Sequence, residues 1–199
     1  MKIFAIILII IISGCSFEKN QEPTPDSRNL NLSAKSDKKI ALYKETETTL
    51  GEAYTEIIDA GKNRVSNINL ACSAISGMAL YPNEEFSFND ITGEKTIKRG
   101  YKEAPIIIDG EKSYGIGGGV CQVSTTIYQA AKNAGMKITE HYNHSESVAY
   151  APDNTDATVV FGYKDLKFKN NTDKTIYIYT WIQDNKVFAK IIKKSIDIQ

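Results

Sequence analysis

The segment Gly115-Ile116-Gly117-Gly118-Gly119-Val120-Cys121-Gln122-Val123-Ser124-Thr125-Thr126-Ile127-Tyr128 decides how this chain folds. Its first five positions hold four glycines. After Cys121 an apolar stripe, Val123, Ile127, Ala130 and Ala134, recurs at helical spacing, with Gln122, Thr125, Gln129 and Lys132 on other faces. Gly135 stops that helix. The pattern predicts Cys121 at or next to a helix N-terminus, approached by a loop with few side chains. Unpaired amides and the helix dipole there stabilise a thiolate, drawing a thiol below its free value of ~8.5. The same amides suit an oxyanion formed when a thiolate attacks a carbonyl, which makes Gly118, Gly119 and Gln122 candidate substrate or oxyanion groups. Phosphate-binding loops look similar, but no Gly-Lys-Ser/Thr follows. A plainer alternative is a tight strand-to-helix turn around a small buried residue.

Working outward, Ile106–Ile108, the turn Asp109-Gly110 and Glu111–Tyr114 read as a hairpin leading into the glycine loop. Cys72 sits among Ile68, Ala71, Ile75 and Ala79, spaced three or four apart as on the buried face of a helix, which is expected near Arg64–Gly77. Downstream, Met136–His141, Thr158–Tyr163, Leu166–Lys169, Thr175–Gln183 and Lys186–Ile192 read as strands, the later ones joined by Asn170-Asn171 and Asp184-Asn185 turns. Ile176, Ile178 and Thr180 alternate with Tyr177, Tyr179 and Trp181, which leaves the buried face open. The class is α+β, a mainly antiparallel sheet with packed helices.

The only two histidines, His141 and His144, follow some twenty residues after Cys121. Beyond them Pro152-Asp153-Asn154-Thr155-Asp156 leads into the expected strand Ala157–Gly162. Cys at a helix start, then His, then Asp from successive strand edges is the order of papain-like and transglutaminase-like thiol enzymes, and it points to a core of that kind. Zinc on Cys121, His141, His144 and Asp156 is the chemical competitor, but His-x-x-His with one Cys matches common structural spacings poorly. No metal and no cofactor are expected. A Cys72–Cys121 disulfide is open to an exported protein, though two cysteines are not a disulfide framework.

The whole chain has 199 residues, with 24 Lys+Arg against 24 Asp+Glu. That balance excludes a bulk-electrostatic nucleic-acid binder, which needs a basic excess. At the N-terminus Lys2 precedes the apolar run Ile3 to Ile12, too short for a hydrocarbon core of ~30 Å. Residues 1–14 read as an export signal. Ile12-Ser13-Gly14-Cys15 resembles a bacterial lipobox, which implies cleavage before Cys15 and diacylation of that thiol, a stable anchor. Residues 15–39, polar and holding Pro23 and Pro25, form the tether, and residues 40–199 a single domain. The expected location is the extracytoplasmic face of the bacterial cell membrane, held by lipid.

Several blocks together resemble the VanW family, named for an accessory protein of vancomycin-resistance clusters. They are Gly117 to Tyr128, Arg64-Val65-Ser66-Asn67-Ile68, Pro82 to Asn89, Gly100-Tyr101-Lys102-Glu103-Ala104, His144-Ser145, Tyr150, Asp156-Ala157-Thr158-Val159 and Asp165 to Thr172. The family usually has Gly where Asn83 and Asn154 stand here; Asn is the commonest other residue at positive φ, so both swaps can keep a turn. His141 stands where the family commonly has Arg, which makes His144 the candidate base. The resemblance implies a cysteine-dependent L,D-transpeptidase. Cys121 would be the nucleophile, His144 its base and Asp156 the orienting carboxylate, making 3→3 cross-links between peptidoglycan stem peptides through a thioester. The alternative is a non-catalytic envelope-binding lipoprotein linked to glycopeptide resistance, and a third reading is a hydrolase in which water replaces the acceptor amine.

Overall fold

In the computed structural model, which describes residues 43–108 and 111–198, the chain begins with a long strand, β1 (Tyr43–Glu56), and helix α1 (Lys62–Ile75). Next come β2 (Met78–Leu80), β3 (Glu85–Ser87), the short helix α2 (Phe88–Thr92) and a 3-10 turn at Ile97–Arg99. The hairpin β4 (Glu103–Ile108) and β5 (Glu111–Ile116) leads into α3 (Val120–Asn133). Then β6 (Lys137–Glu140), β7 (Lys167–Lys169), β8 (Ile176–Gln183) and β9 (Lys186–Ile198) follow. The sheets run β1-β9-β8-β2, β3-β7-β6 and β4-β5, and every strand pair is antiparallel. The fold is α+β. The signal, Cys15, the tether and the Asp109-Gly110 turn lie outside the described residues.

Helices α1 and α3 cover the four-stranded sheet. Ile68, Ala71, Cys72 and Ile75 of α1 meet the buried face of β8, which is Ile176, Ile178 and Thr180. Thr180 belongs on that face because its hydroxyl donates to the Cys72 carbonyl at 2.9 Å, removing the cost of a buried hydroxyl. Gly77, at φ +86°, ends α1 and gives its N–H to Ile178 O at 2.8 Å, which starts β2 beside β8. Val123, Ile127, Ala130 and Ala131 of α3 pack over Val187, Ala189 and Ile191 of β9. A second cluster stacks Phe86 of β3 on Phe168 of β7 at 4.6 Å between centroids. Asn83 and Asn154 do take positive φ, 68° and 62°.

Three departures have physical causes. Strand β1 has no clear apolar alternation because it is an edge, paired only with β9, with Glu45, Glu47, Thr49 and Glu52 exposed. The expected strand Thr158–Tyr163 (and with it Ala157–Gly162) does not form: its β-branched residues favour extension, but Thr158 N–H goes to Tyr142 O and only a single bridge, Val160 to Lys164, remains. Helix α3 has no polar outer face at its start. Gln122, Ser124, Thr125 and Thr126 are all fully buried, and each side chain is hydrogen-bonded.

Gly51 lets β1 bulge and pass under the end of α3. An added Cβ there would stand 2.3 Å from Ala134 N and 2.6 Å from Ala130 O, both immobile backbone atoms. Gly51→Ala should therefore cost about 1–3 kcal/mol, as overpacked sites do. Urea unfolding followed by circular dichroism reads this directly; an unchanged midpoint would show that β1 does not press on α3.

Candidate functional site

The glycine loop brings the start of α3 onto two other backbones. A Cβ on Gly118 would lie 2.6 Å from Pro105 O and 2.8 Å from Ala104 O of β4, and the Gly118 carbonyl accepts from Asn67 Nδ2 at 3.0 Å. Gly119 is the N-cap at φ +104°, a backbone state that L side chains rarely adopt. Cys121 thereby falls in the first turn of α3, half-buried, with Sγ 3.6 Å from Val159 O and 3.8 Å from Thr158 Oγ1.

The segment facing Cys121 is held by α3 itself. Ser124 Oγ donates to Ala157 O at 2.6 Å and Ala157 N–H donates to Thr125 Oγ1 at 2.9 Å. On one side of Ala157 stand Thr158 and Val159, against the thiol. On the other stands Asp156. Its Oδ2 accepts from the His144 backbone N–H at 2.7 Å and from His144 Nδ1–H at 2.6 Å, while Oδ1 accepts from Asn143 Nδ2 at 2.9 Å. A ring that gives Nδ1–H to a carboxylate leaves Nε2 for another partner. Asp156 and His144 come from irregular segments after β6, not from strand edges as expected.

The electrostatics agree with that geometry. Burial raises the Cys121 thiol, but the hydrogen bond and charge of His144, with the Val159 backbone and Thr158 hydroxyl, outweigh it and bring the thiol below its ordinary value. Burial likewise lowers the His144 imidazole, yet the hydrogen bond and charge of Cys121 and then of Asp156 hold it above the usual histidine value. Asp156 is pulled below the ordinary carboxylate despite burial, by the His144 N–H, Asn143 and the His144 ring. The two reacting groups thus move in the directions of a thiolate–imidazolium pair, which titrates as a unit. Cys72 differs: burial pushes it up to about 12, only partly offset by Thr180. Both thiols are free.

Gln122 does not serve the role expected of it. Its amide donates to Thr55 Oγ1 at 3.1 Å and Glu56 O at 2.8 Å, its Oε1 accepts from Arg64 Nη2 at 3.2 Å, and its backbone N–H goes to Gly119 O. It braces α3 against β1 and α1. Gly118 N–H reaches Gly115 O at a long 3.4 Å, whereas the N–H groups of Gly119 and Cys121 have no partner among the described residues. His141 turns away from the thiol, stacking on Tyr128 at 4.0 Å and donating Nε2–H to Asp156 O at 2.7 Å. No three His, Cys, Asp or Glu side chains among the described residues converge as a metal requires. Sequence reasoning missed Asn143, whose adjacency to His144 was the available signal, and Arg64 and Lys95, whose places beside the loop depend on tertiary packing.

A family profile described as "VanW like protein" matches residues 63–192. The chain is 42% identical over 149 residues to "Uncharacterized protein YoaR" of Bacillus subtilis (strain 168), covering 75% of this chain and 49% of that protein. It is 27% identical over 135 residues to "Vancomycin B-type resistance protein VanW" of Enterococcus faecalis (strain ATCC 700802 / V583), covering 65% and 49%. The chain thus spans about half the length of the curated relatives it matches. No solved structure matches it.

The two thiols should separate cleanly in solution. Iodoacetamide should label Cys121 much faster than Cys72 in native protein, along a pH curve centred below the ordinary thiol value. His144→Ala should move that curve upward, because the cation that favours the thiolate is gone. Peptide-level mass spectrometry reads both; equal slow labelling of the two cysteines would refute the activated thiol.

Proposed function

We propose that this chain, which belongs to the VanW family, is a lipid-anchored cell-envelope protein whose domain is a cysteine acyltransferase of the L,D-transpeptidase kind. The observation that carries the reading is the Cys121, His144 and Asp156 constellation at the head of α3, with both reacting groups shifted toward the ion pair.

In this reading the Cys121 thiolate attacks the carbonyl carbon of the third residue of a stem tetrapeptide. The Sγ–C bond forms, and the carbonyl electrons move onto oxygen, which the unspent amides of Gly119 and Cys121 would receive. Collapse breaks the C–N bond to the terminal D-Ala, and the His144 imidazolium gives its proton to the departing amine. The thioester then meets the side-chain amine of a neighbouring stem. Neutral His144 takes the proton from that amine, its nitrogen joins the carbonyl carbon, and the thiolate leaves as the 3→3 amide forms. Asp156 keeps the ring in one tautomer and orientation throughout. No step calls for a metal or a cofactor.

Incubation of soluble protein with a disaccharide tetrapeptide, followed by intact-mass analysis, tests the chemistry. A covalent adduct at Cys121 with loss of D-Ala is expected; Cys121→Ala should abolish it, and His144→Ala should slow it ~10²–10⁴-fold at neutral pH. Turnover unchanged in folded Cys121→Ala eliminates the mechanism, and no adduct across several stem peptides favours a binding module instead. Anchoring is tested separately. Wild type should fractionate with membranes and Cys15→Ala should not; a soluble wild type with no acyl mass refutes the lipid anchor.

A further inference from the structure

The glycine loop is flanked by a cation with no obvious employment. Lys95 lies between α2 and the Ile97–Arg99 turn, its stem so close to the loop that a Cβ on Gly117 would stand 2.8 Å from Lys95 Cβ. Its ammonium donates to Thr92 Oγ1 at 2.9 Å and Asn89 Oδ1 at 3.1 Å, and sits 5.2 Å from the Phe88 ring centroid. Asn89 is held in that orientation because its own amide donates to Lys164 O at 2.8 Å and Val160 O at 3.3 Å. Among the described residues no carboxylate comes within ion-pair distance of Lys95. An ammonium has three donors, and here two are spent on neutral oxygens.

A half-buried charge with no counter-ion in contact is a cost that packing does not require. Burial draws the Lys95 ammonium down to about 8; the charges of Cys121 and Asp165 raise it, and Arg99 lowers it. Lys95 is therefore within electrostatic reach of the thiolate. A cavity of about 770 Å³ opens beside its clamp, lined by Asn89 and Phe161, by the cations Lys98 and Arg99 and by the carboxylates Asp90 and Glu94. The same stretch reaches the thiol, since Phe161 follows Thr158 and Val159, which touch Cys121 Sγ.

We propose that Lys95 is a specificity-determining residue of the Cys121 site, whose ammonium receives the free carboxylate of the residue that leaves. The substrate named here rests on the acyl-transfer reading. The site would take peptides ending in a carboxylate one residue beyond the attacked carbonyl, and would discriminate against amidated or extended ends. Neutral Thr92 and Asn89 hold the ammonium without quenching its charge, which keeps it available to an anion.

Two alkylating reagents of similar size test the cation apart from the acyl chemistry: iodoacetate carries a carboxylate and iodoacetamide does not. The readout is the ratio of their rates at Cys121, by peptide mass. Lys95→Gln should lower that ratio roughly three- to tenfold, the scale of one unit charge at short range in a partly screened site, and Lys95→Arg should restore it. In wild type the ratio should fall as pH rises through about 8, where Lys95 loses its proton, and that fall should be smaller in Lys95→Gln, where only His144 still discharges. The wild-type pH profile needs no variant to fold. A flat wild-type profile, or an unchanged ratio in folded Lys95→Gln, overturns the proposal. With the tetrapeptide donor, replacing the terminal carboxylate by an amide should raise KM about tenfold or more in wild type and little in Lys95→Gln; equal use of both donors by wild type overturns it as well. If the reagent ratio behaves as expected while neither peptide forms an adduct, the acyl-transfer reading fails and the carboxylate site stands.

Discussion

Two hydrogen bonds to the backbone of one residue, Ala157, tie the segment that carries Asp156 and Thr158 to helix α3. Ser124 and Thr125 hold its carbonyl and its N–H from the buried side of α3. Asp156 and Thr158 flank it, so a single clamp sets both the carboxylate that orients His144 and the hydroxyl that touches the thiol. The segment has no ladder of its own to fix its position. From the other side Thr158 N–H donates to Tyr142 O and His141 Nε2–H to Asp156 O, so backbone groups of all three residues are spent on holding the segment in place.

The clamp works only because α3 can be buried on nearly every side. The glycine loop allows this at one end, where Gly118 lies on the β4 backbone, and Gly51 allows it at the other, where β1 passes under Ala130 and Ala134. A helix so enclosed must satisfy every polar group internally. Gln122, Thr126 and Thr55 do so as one connected network linking α3 to β1 and α1. The result is a rigid first turn under a reactive sulfur, which is what positioning to within a fraction of an ångström demands.

The charges around the site divide into two kinds. In the Cys121, His144 and Asp156 group the imidazolium serves both anions, so neither is partly buried without a cation beside it. Arg64 and Lys95 are not compensated in that way: Arg64 meets Gln122 through one nitrogen, and its buried Nε has no partner among the described residues. Stability alone does not favour such an arrangement. Both cations lie beside the glycine loop, Arg64 against Gly119 and Lys95 against Gly117.

From the sequence alone came the features that local chemistry controls. Glycines before an apolar stripe at helical spacing place Cys121 at a helix start, and the helix is there at Val120–Asn133. Asparagines at turn positions take positive φ, and the apolar face of α1 buries Cys72. The blocks around these features also carry the family. Tertiary structure decided what depends on contacts between distant segments. It chose the buried face of β8, where Thr180 follows Ile176 and Ile178 inward and Cys72 O accepts from its hydroxyl. The polar run β1 becomes a strand through its long register with β9, which no periodicity announces. Thr158–Tyr163 loses its strand because its backbone bonds go to Tyr142 and within a turn. Gln122 became a brace and Lys95 a neighbour of the glycine loop for the same reason. Local propensity sets the conformation of a segment, but the partner of a side chain is set by whichever segment packs opposite it, tens of residues away.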